Sequence, residues 1–168
     1  MRAFLILLIL AIGITVYGGE TAKNPIEVGN VQWGRDFDDA LKNSAETGKP
    51  VLVLFQEIPG CAGCQKFGSE VLTNPSLVKT IENEFIPLLV YNNRRGGMDQ
   101  ELLKRYGEPA WNFQVIRFLN AAGNDVIPRK DRIWTTSGVA LRMIEALIAA
   151  NRPVPKYLKD LAATGQGG

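Results

Sequence analysis

The sequence predicts an α/β fold, a three-layer sandwich in which helices flank a central mixed sheet. Apolar residues recur in the order helix, strand, helix, helix, strand, helix, strand hairpin, helix. Residues 51–55 form a continuous apolar run, as expected of a central strand that is covered on both faces. The chain has 168 residues, of which 46% are hydrophobic, and this is enough for one domain with a full core.

Capping and helix-breaking residues set the predicted ends of these elements. Asp36 caps the first helix and Gly48 ends it, while Asn74 caps the third helix. Pro87 places its strand toward a sheet edge, because proline cannot donate a ladder hydrogen bond. The last two strands pair as a hairpin across a glycine-containing turn at 120–124. The predicted helices cover residues 37–45, 64–72, 75–83, 98–106 and 137–150, and the predicted strands cover residues 51–55, 85–91, 114–119 and 125–127.

The N-terminus has the pattern of an export signal. Arg2 supplies a positive charge, and the apolar stretch 3–16 is long enough for the hydrophobic region of a signal peptide. Small residues follow at Gly18 and Gly19, so we predict a signal peptide over residues 1–19 that is cleaved near its end. The alternative is an uncleaved anchor helix, and only this alternative predicts contact with a membrane. Both place the domain outside the cytoplasm, periplasmic or secreted, where disulfides persist.

Composition divides the rest of the chain into three parts. Residues 20–30 are polar, contain Pro25 and are predicted to be a linker or a loosely held extension. Residues 31–150 carry the periodic apolar segments and form the predicted domain. Residues 151–168 contain two prolines and a glycine-rich end, and they are predicted to be a tail in which residues near 157–161 dock as a short helix.

Charge and residue counts exclude several classes of function. The 19 basic and 17 acidic residues give a net charge of +2, and no basic stripe with aromatics indicates a nucleic-acid partner. The absence of histidine from the sequence excludes Ser-His and Cys-His nucleophile pairs and histidine metal sites. Two cysteines cannot close a four-thiolate zinc site within one chain, but a dimer or added carboxylates would complete the shell. No cofactor and no resident metal are expected.

Cys61 and Cys64 are the only cysteines, and they form a C-x-x-C between the apolar strand and a helical pattern. This places a thiol pair at a helix N-terminus, where backbone N–H groups and the helix dipole favour a thiolate. The alternative is a structural disulfide, but a four-residue ring contributes only about 2 kcal/mol, against roughly 4 to 5 kcal/mol for a long loop. The short spacing therefore favours a redox pair and predicts thiol–disulfide exchange.

Three segments around the cysteines carry a resemblance to a known family. They are AETGKPVLVLF at 45–55, EVLTNP at 70–75 and EFIP at 84–87. Together with the C-x-x-C and the order of elements, they resemble the thioredoxin superfamily over residues 33–148, and most closely its branch of exported thioredoxin-like proteins. The resemblance implies a thioredoxin-like sandwich in which Cys61 is the attacking thiol and Cys64 is the resolving thiol.

The chain departs from the pattern of that superfamily at three functional positions, one of which is the Ala62-Gly63 pair between the cysteines, where a Gly-Pro pair is common. The buried acid of the strand before the motif would fall at Leu54, which cannot move protons. Glu57, four residues before Cys61, is the candidate proton shuttle in its place, and the alternative is a solvated loop glutamate. The cis-proline of the superfamily would fall near Phe113, where no proline stands. Pro109 is the candidate residue that shapes the loop facing the cysteines.

Aromatic residues on the same loop are candidate substrate contacts. In a thioredoxin-like fold Trp111 and Phe113 lie opposite the cysteines, where exposed rings would grip an extended peptide. The alternative is packing of both rings in the core. The other two tryptophans, Trp33 and Trp134, are predicted to be packing residues.

We therefore predict an exported thiol–disulfide oxidoreductase that exchanges disulfides with protein thiols and is recycled by a redox partner protein. A first alternative is a catalytically inactive binding module that uses the Trp111 loop to dock a partner. A second alternative is a copper or iron–sulfur carrier that uses the two thiols as metal ligands.

Overall fold

The computed structural model describes residues 24–111 and 113–165. These residues form six α-helices and three β-strands: five helices and the three strands follow the predicted order, and the sixth helix lies at the C-terminal end. The elements are α1 (Phe37–Thr47), β1 (Val51–Gln56), α2 (Ala62–Glu70), α3 (Pro75–Glu84), β2 (Ile86–Tyr91), α4 (Gly97–Tyr106), β3 (Val115–Leu119), α5 (Thr136–Ala149) and α6 (Lys156–Ala163).

The sheet is mixed, and β1 is its central strand. β1 pairs in parallel with β2, where Val51 lies opposite Ile86, and antiparallel with β3, where Val51 lies opposite Leu119. All six residues of β1 are buried, as the continuous apolar run predicted. Pro87 lies on β2 at the edge of the sheet, which confirms the position expected for a strand containing proline.

Two helical layers cover the two faces of the sheet. Because side chains alternate along a strand, Leu52 and Leu54 point into a core formed with α2, α3, α5 and α6. Val53 and Phe55 point into a second core formed with α1 and α4. The predicted three-layer α/β sandwich is thus confirmed.

The residues that cap and end the helices follow the prediction. The side chain of Asp36 accepts a hydrogen bond from the N–H of Asp39, and the side chain of Asn74 accepts from the first turn of α3. Gly48 and Gly107 end α1 and α4 with φ angles of 67° and 62°, a left-handed conformation that favours glycine.

The predicted strand at 125–127 is wrong. Only Asp125 forms an isolated bridge, with Leu119, and one more backbone bond joins the N–H of Val126 to the C=O of Phe118. The ladder stops there because Pro128 has no N–H, and Arg129 turns back to bind Glu108.

Both terminal segments pack on the domain where the structure describes them, and the predicted docking of residues near 157–161 as a short helix is confirmed. Ile26–Val28 is a 3₁₀ turn on α2, and Val28, which is 2% exposed, belongs to the core. Helix α6 buries Leu158 and Ala162 in the same core. The linker prediction is therefore corrected for residues 24–30, because the side chain of Asn24 also binds the backbone there. The predicted signal peptide or anchor at 1–19 lies outside the described residues, within which no helix has the length and apolarity to cross a membrane.

Candidate active site

The two cysteines lie at the N-terminus of α2, directly after the loop that follows the central strand. Cys61 is the N-cap residue and is exposed, whereas Cys64 lies one turn further on and is fully buried. Both are free thiols, and their Sγ atoms are 3.7 Å apart. The two sulfurs are not bonded to each other, so the structure shows the pair as a dithiol.

The two thiols at the helix N-terminus have different pKa values. The backbone N–H of Cys64 is the main cause that lowers the pKa of Cys61 below its ordinary value of 9.0, and the Cys64 side chain and the N–H of Gly63 lower it further. Burial is the main cause that raises the pKa of Cys64 to about 12, followed by its hydrogen bond to Cys61. The exposed sulfur therefore ionises first, while the buried sulfur keeps its proton.

Glu57 lies beside this pair. It directly follows β1 and is half-buried, and its carboxylate oxygen and the two sulfur atoms all lie within 4.8 Å of one another. Its negative charge raises the pKa of both thiols, although other causes are larger. The structure thus brings together Glu57, Cys61 and Cys64, the three residues named as catalytic candidates from the sequence.

The same three residues are also the group that could hold a metal ion. Two thiolate sulfurs and one carboxylate oxygen supply three ligands, one fewer than a closed tetrahedral zinc shell requires. A fourth ligand would have to come from water or from a second molecule.

The loop at 107–114, which joins α4 to β3, carries the other three candidates. Pro109, Trp111 and Phe113 are all exposed there. The N–H of Trp111 donates to the C=O of Asn92 at 3.1 Å, and this bond holds Trp111 at a φ of 58°. Among the described residues only Ile58–Pro59 is a cis peptide bond, so the peptide bond before Pro109 is trans.

Phe113 and Trp134 form one wall of a groove that begins at the dithiol. Their ring centroids are 5.4 Å apart, so Trp134, predicted to be a packing residue, packs against Phe113 while it remains 42% exposed. A methyl group on Gly63 would lie 3.7 Å from the Cys61 sulfur, which places one end of the groove at the reactive atom. The groove has a volume of about 230 Å³ and is lined by Gly63, Lys66, Phe67, Glu70, Val71, Phe113, Gln114 and Trp134.

Two buried polar residues next to the dithiol were missed from the sequence. Gln56, the last residue of β1, donates from Nε2 to the C=O of Glu27 at 2.7 Å, and both side chains are buried. Glu27 also binds the loop that precedes Cys61. Gln56 could have been found, because it is a polar residue directly after an apolar run. Glu27 lies in a polar segment, and nothing in that segment indicated that it is buried.

A third missed residue, Glu108, anchors the base of the 107–114 loop. Its carboxylate accepts from Nε of Arg117 at 2.7 Å and from Nε of Arg129 at 2.6 Å. The Glu108 side chain is 2% exposed and that of Arg117 is 8% exposed, so this ion pair is buried. The loop that carries the exposed aromatic rings is thus tied to β3 at its start.

Fold and site together define a class of protein. A mixed sheet covered by helices on both faces carries a C-x-x-C dithiol at the start of the helix that follows the central strand. The exposed first sulfur and the buried second sulfur complete the arrangement of the thioredoxin-type dithiol proteins.

The chain belongs to the thioredoxin-like family, whose model matches residues 32–120. The thioredoxin-related protein DsbJ of Chlamydia pneumoniae is 27% identical over 86 residues, which cover 51% of this chain. The match spans 24% of that relative, so most of its length has no counterpart here.

Solved structures show the same fold. The DsbH oxidoreductase has a TM-score of 0.57 at 20% identity, covering 77% of this chain and 90% of that one. A thioredoxin from Thermus thermophilus has a TM-score of 0.56 at 19% identity, covering 71% of this chain and 89% of that one. These similarities confirm the thioredoxin-like fold.

Proposed function

We propose that this chain is an exported thiol–disulfide oxidoreductase that exchanges disulfides with protein thiols through Cys61 and Cys64. The observation that carries the proposal is the asymmetry of the dithiol. An exposed thiol with a lowered pKa lies 3.7 Å from a buried thiol whose pKa is about 12. The first sulfur can attack a substrate, and the second is positioned to attack the first.

The reaction has two displacement steps. The Cys61 thiolate attacks one sulfur of a substrate disulfide, which forms a mixed disulfide and releases the other substrate sulfur as a thiolate. Cys64 then loses its proton and attacks the Cys61 sulfur, which closes the Cys61–Cys64 disulfide and releases the second substrate sulfur. Two electrons pass from the dithiol to the substrate. In reverse the disulfide oxidises substrate thiols, and in both directions a redox partner protein restores the starting state.

Glu57 is the proposed proton acceptor for the second step. The pKa of Cys64 is raised to about 12, so its thiol needs a base near neutral pH. The carboxylate of Glu57 is the nearby group that can take this proton, since its oxygen lies within 4.8 Å of both sulfurs.

The proposed substrate site is the groove next to Cys61 together with the 107–114 loop. Trp111 and Phe113 are 64% and 51% exposed, so their rings are available to an extended peptide. Pro109 shapes the loop that presents them. In the groove wall the amide oxygen of Gln114 is buried and has no hydrogen-bond partner among the described residues, which offers an acceptor for a peptide N–H.

The sequence supports action outside the cytoplasm. Arg2 and the apolar stretch 3–16 have the pattern of a signal peptide, and the dithiol chemistry suits a compartment where protein disulfides persist. If the segment is retained, it would also tether the domain to a membrane.

Reduction of a protein disulfide tests the proposal. The purified mature protein with dithiothreitol should accelerate insulin reduction, and Cys61→Ser should abolish this acceleration. Cys64→Ser should instead accumulate a mixed disulfide with the substrate, because the second displacement is blocked. A folded wild-type protein that reduces insulin no faster than Cys61→Ser would contradict the proposal and favour the binding module.

The metal carrier is the second candidate function, favoured by the cluster of Glu57, Cys61 and Cys64. Metal analysis of protein purified without added metal distinguishes it from the oxidoreductase. Stoichiometric copper or iron that is lost in Cys64→Ser would support the carrier, whereas a metal-free protein with insulin reductase activity would reject it.

A further inference from the structure

Glu27 is a buried acid next to the dithiol, and it comes from outside the region that matches the family. It lies in the 3₁₀ turn Ile26–Val28, whereas the family match begins at residue 32. The residue is 4% exposed, and its carboxylate forms no ion pair with any described residue. Burying a carboxylate without a cation is costly unless hydrogen bonds compensate it.

The hydrogen bond of this carboxylate is made with the residue directly before Cys61. The N–H of Gly60 donates to Oε1 of Glu27 at 2.8 Å. The C=O of Gly60 accepts from the side chain of Gln65 on α2 at 3.2 Å. Both polar backbone groups of Gly60 are therefore held by side chains, and this fixes the start of α2 and the attacking sulfur.

Packing around Gly60 leaves little freedom for movement. A Cβ atom there would lie 2.4 Å from the C=O oxygen of Glu57, 2.7 Å from Cβ of Cys64 and 3.1 Å from Cγ of Glu27. The backbone of Gly60 thus lies between Glu27 and the resolving cysteine.

The 3₁₀ turn is itself held against α2, so Glu27 is presented from a fixed position. Nε2 of Gln56 donates to the C=O of Glu27 at 2.7 Å and, more weakly, to the C=O of Cys64 at 3.4 Å. A Cβ atom on Gly68 of α2 would lie 2.0 Å from the C=O oxygen of Ile26, which shows how closely the two backbones approach.

We propose that Glu27 is a positioning residue for the attacking thiol: by holding the N–H of Gly60 it keeps Cys61 at the helix terminus, where the backbone N–H groups of α2 stabilise its thiolate. The N-terminal turn is then part of the active site. The effect of Glu27 on the rate of disulfide exchange rests on the proposed function, but its effect on the Cys61 thiolate does not.

Two pairs of proteins separate the hydrogen bond from the charge. Glu27→Gln and Glu27→Ala both lack the charge, and only Glu27→Gln keeps an oxygen that can accept from Gly60. Wild type and Glu27→Asp both keep a carboxylate, but the aspartate is one methylene too short to reach Gly60. Glu82→Ala is the matched control, because Glu82 on α3 also accepts a backbone N–H of the N-terminal segment, from Gln32 at 2.9 Å.

The readouts are the hydrogen exchange of the Gly60 amide and the pH profile of Cys61 alkylation by iodoacetamide, measured on the full reduced chain. Wild type and Glu27→Gln should protect the Gly60 amide, whereas Glu27→Ala and Glu27→Asp should lose that protection. In the latter two, alkylation at neutral pH should fall about threefold or more, because fewer amides stabilise the thiolate. Glu82→Ala should keep the wild-type profile.

An unprotected Gly60 amide in the wild type would overturn the proposal, and so would folded Glu27→Ala or Glu27→Asp with unchanged profiles. If Glu27→Ala does not fold, the profiles of Glu27→Asp and the hydrogen exchange of the Gly60 amide in the wild type test the proposal. If Glu27→Ala and Glu27→Asp lose thiolate at Cys61 but the wild type does not reduce insulin, Glu27 is upheld as a positioning residue and the oxidoreductase is rejected.

Discussion

The loop that carries the thiols and the loop that faces them are built in different ways. In the thiol loop, residues 57–60, the backbone is held by side chains from three other parts of the chain, one of which is Gln65 on α2. The side chain of Asn93 binds the N–H of Ile58 at 3.3 Å and the C=O of Pro59 at 3.4 Å. Glu27 binds the N–H of Gly60 from the other side.

The facing loop, residues 107–114, is anchored mainly at its start. Glu108 is buried against Arg117 and Arg129, whereas Pro109, Trp111 and Phe113 are exposed, Trp111 to 64%. The N–H of Trp111 is a backbone anchor near the tip.

This difference matches the two tasks that the proposed function requires. A nucleophilic sulfur needs a fixed position relative to the amides that stabilise it, so its loop is held along its length. A surface that accepts varied peptides needs exposed rings on a stable base, so its loop is fixed where it begins. Each prediction below alters one of these features.

The largest expected effect comes from removing the base of the facing loop. Glu108→Ala removes the buried carboxylate from Nε of Arg117, which keeps only Asp125 and the C=O of Tyr106, and should lower the free energy of unfolding by about 3 kcal/mol. Urea denaturation measures this change. Asp131→Ala is the control, because it removes an exposed carboxylate, 57% accessible, from Arg129 and should cost less than about 1 kcal/mol. Equal losses in the two variants would show that the buried pair does not anchor the loop.

The next effect comes from crowding the thiol loop. Gly60→Ala would place a methyl group 2.4 Å from the C=O of Glu57, so we expect a loss of about 1 to 3 kcal/mol in stability and a lower rate of insulin reduction. Gly63→Ala is the control on the same helix start, since its methyl group would meet only the Cys61 sulfur, at 3.7 Å. A Gly60→Ala protein as stable and active as Gly63→Ala would mean that the thiol loop is not tightly held.

A smaller effect should follow from removing the exposed ring at the tip of the facing loop. Trp111→Ala should leave stability nearly unchanged and should slow reduction of a protein disulfide about tenfold, the effect of losing an aromatic contact of about 1.4 kcal/mol. Reduction of oxidised glutathione, a small substrate without an extended protein chain, should be unaffected. Ile148→Ala removes an apolar side chain of similar exposure, 62%, from α5 and should change neither rate. Equal slowing with both substrates would contradict a role in peptide binding.

The features of the fold and the site that the sequence could predict are those set by local patterns of residues. The apolar run 51–55, the caps Asp36 and Asn74, and the C-x-x-C located the central strand, two helix starts and the dithiol. Each of these signals comes from neighbouring residues, and the structure confirms them.

The parts that sequence missed depend on contacts between distant residues. Glu27 meets Gln56 and Gly60 at separations of 29 and 33 residues, so its polar surroundings in sequence gave no sign of burial. Trp134 was predicted to be a packing residue, but the sequence did not show that its partner is Phe113 at the surface. Such positions are set by tertiary packing, which overrides local composition.

The smallest expected effect concerns the charge beside the dithiol. The carboxylate of Glu57 raises the pKa of Cys61, and among the causes of its shift this is the weakest. Glu57→Gln removes the charge, so the pKa of Cys61 should fall further and the rise of its alkylation rate should move to lower pH. Below neutral pH, alkylation should become about two- to threefold faster, because more of the sulfur is thiolate.

Closure of the disulfide should change in the opposite direction in the same protein. Without the Glu57 carboxylate to take the proton of Cys64, whose pKa is about 12, the mixed disulfide should persist several-fold longer in Glu57→Gln. Glu46→Gln, on the exposed surface of α1, should alter neither rate. The substitution should thus speed alkylation of Cys61 and slow closure of the disulfide. If both reactions slow together, the substitution has disturbed the structure. If alkylation is faster and closure is unchanged, Glu57 acts only through its charge.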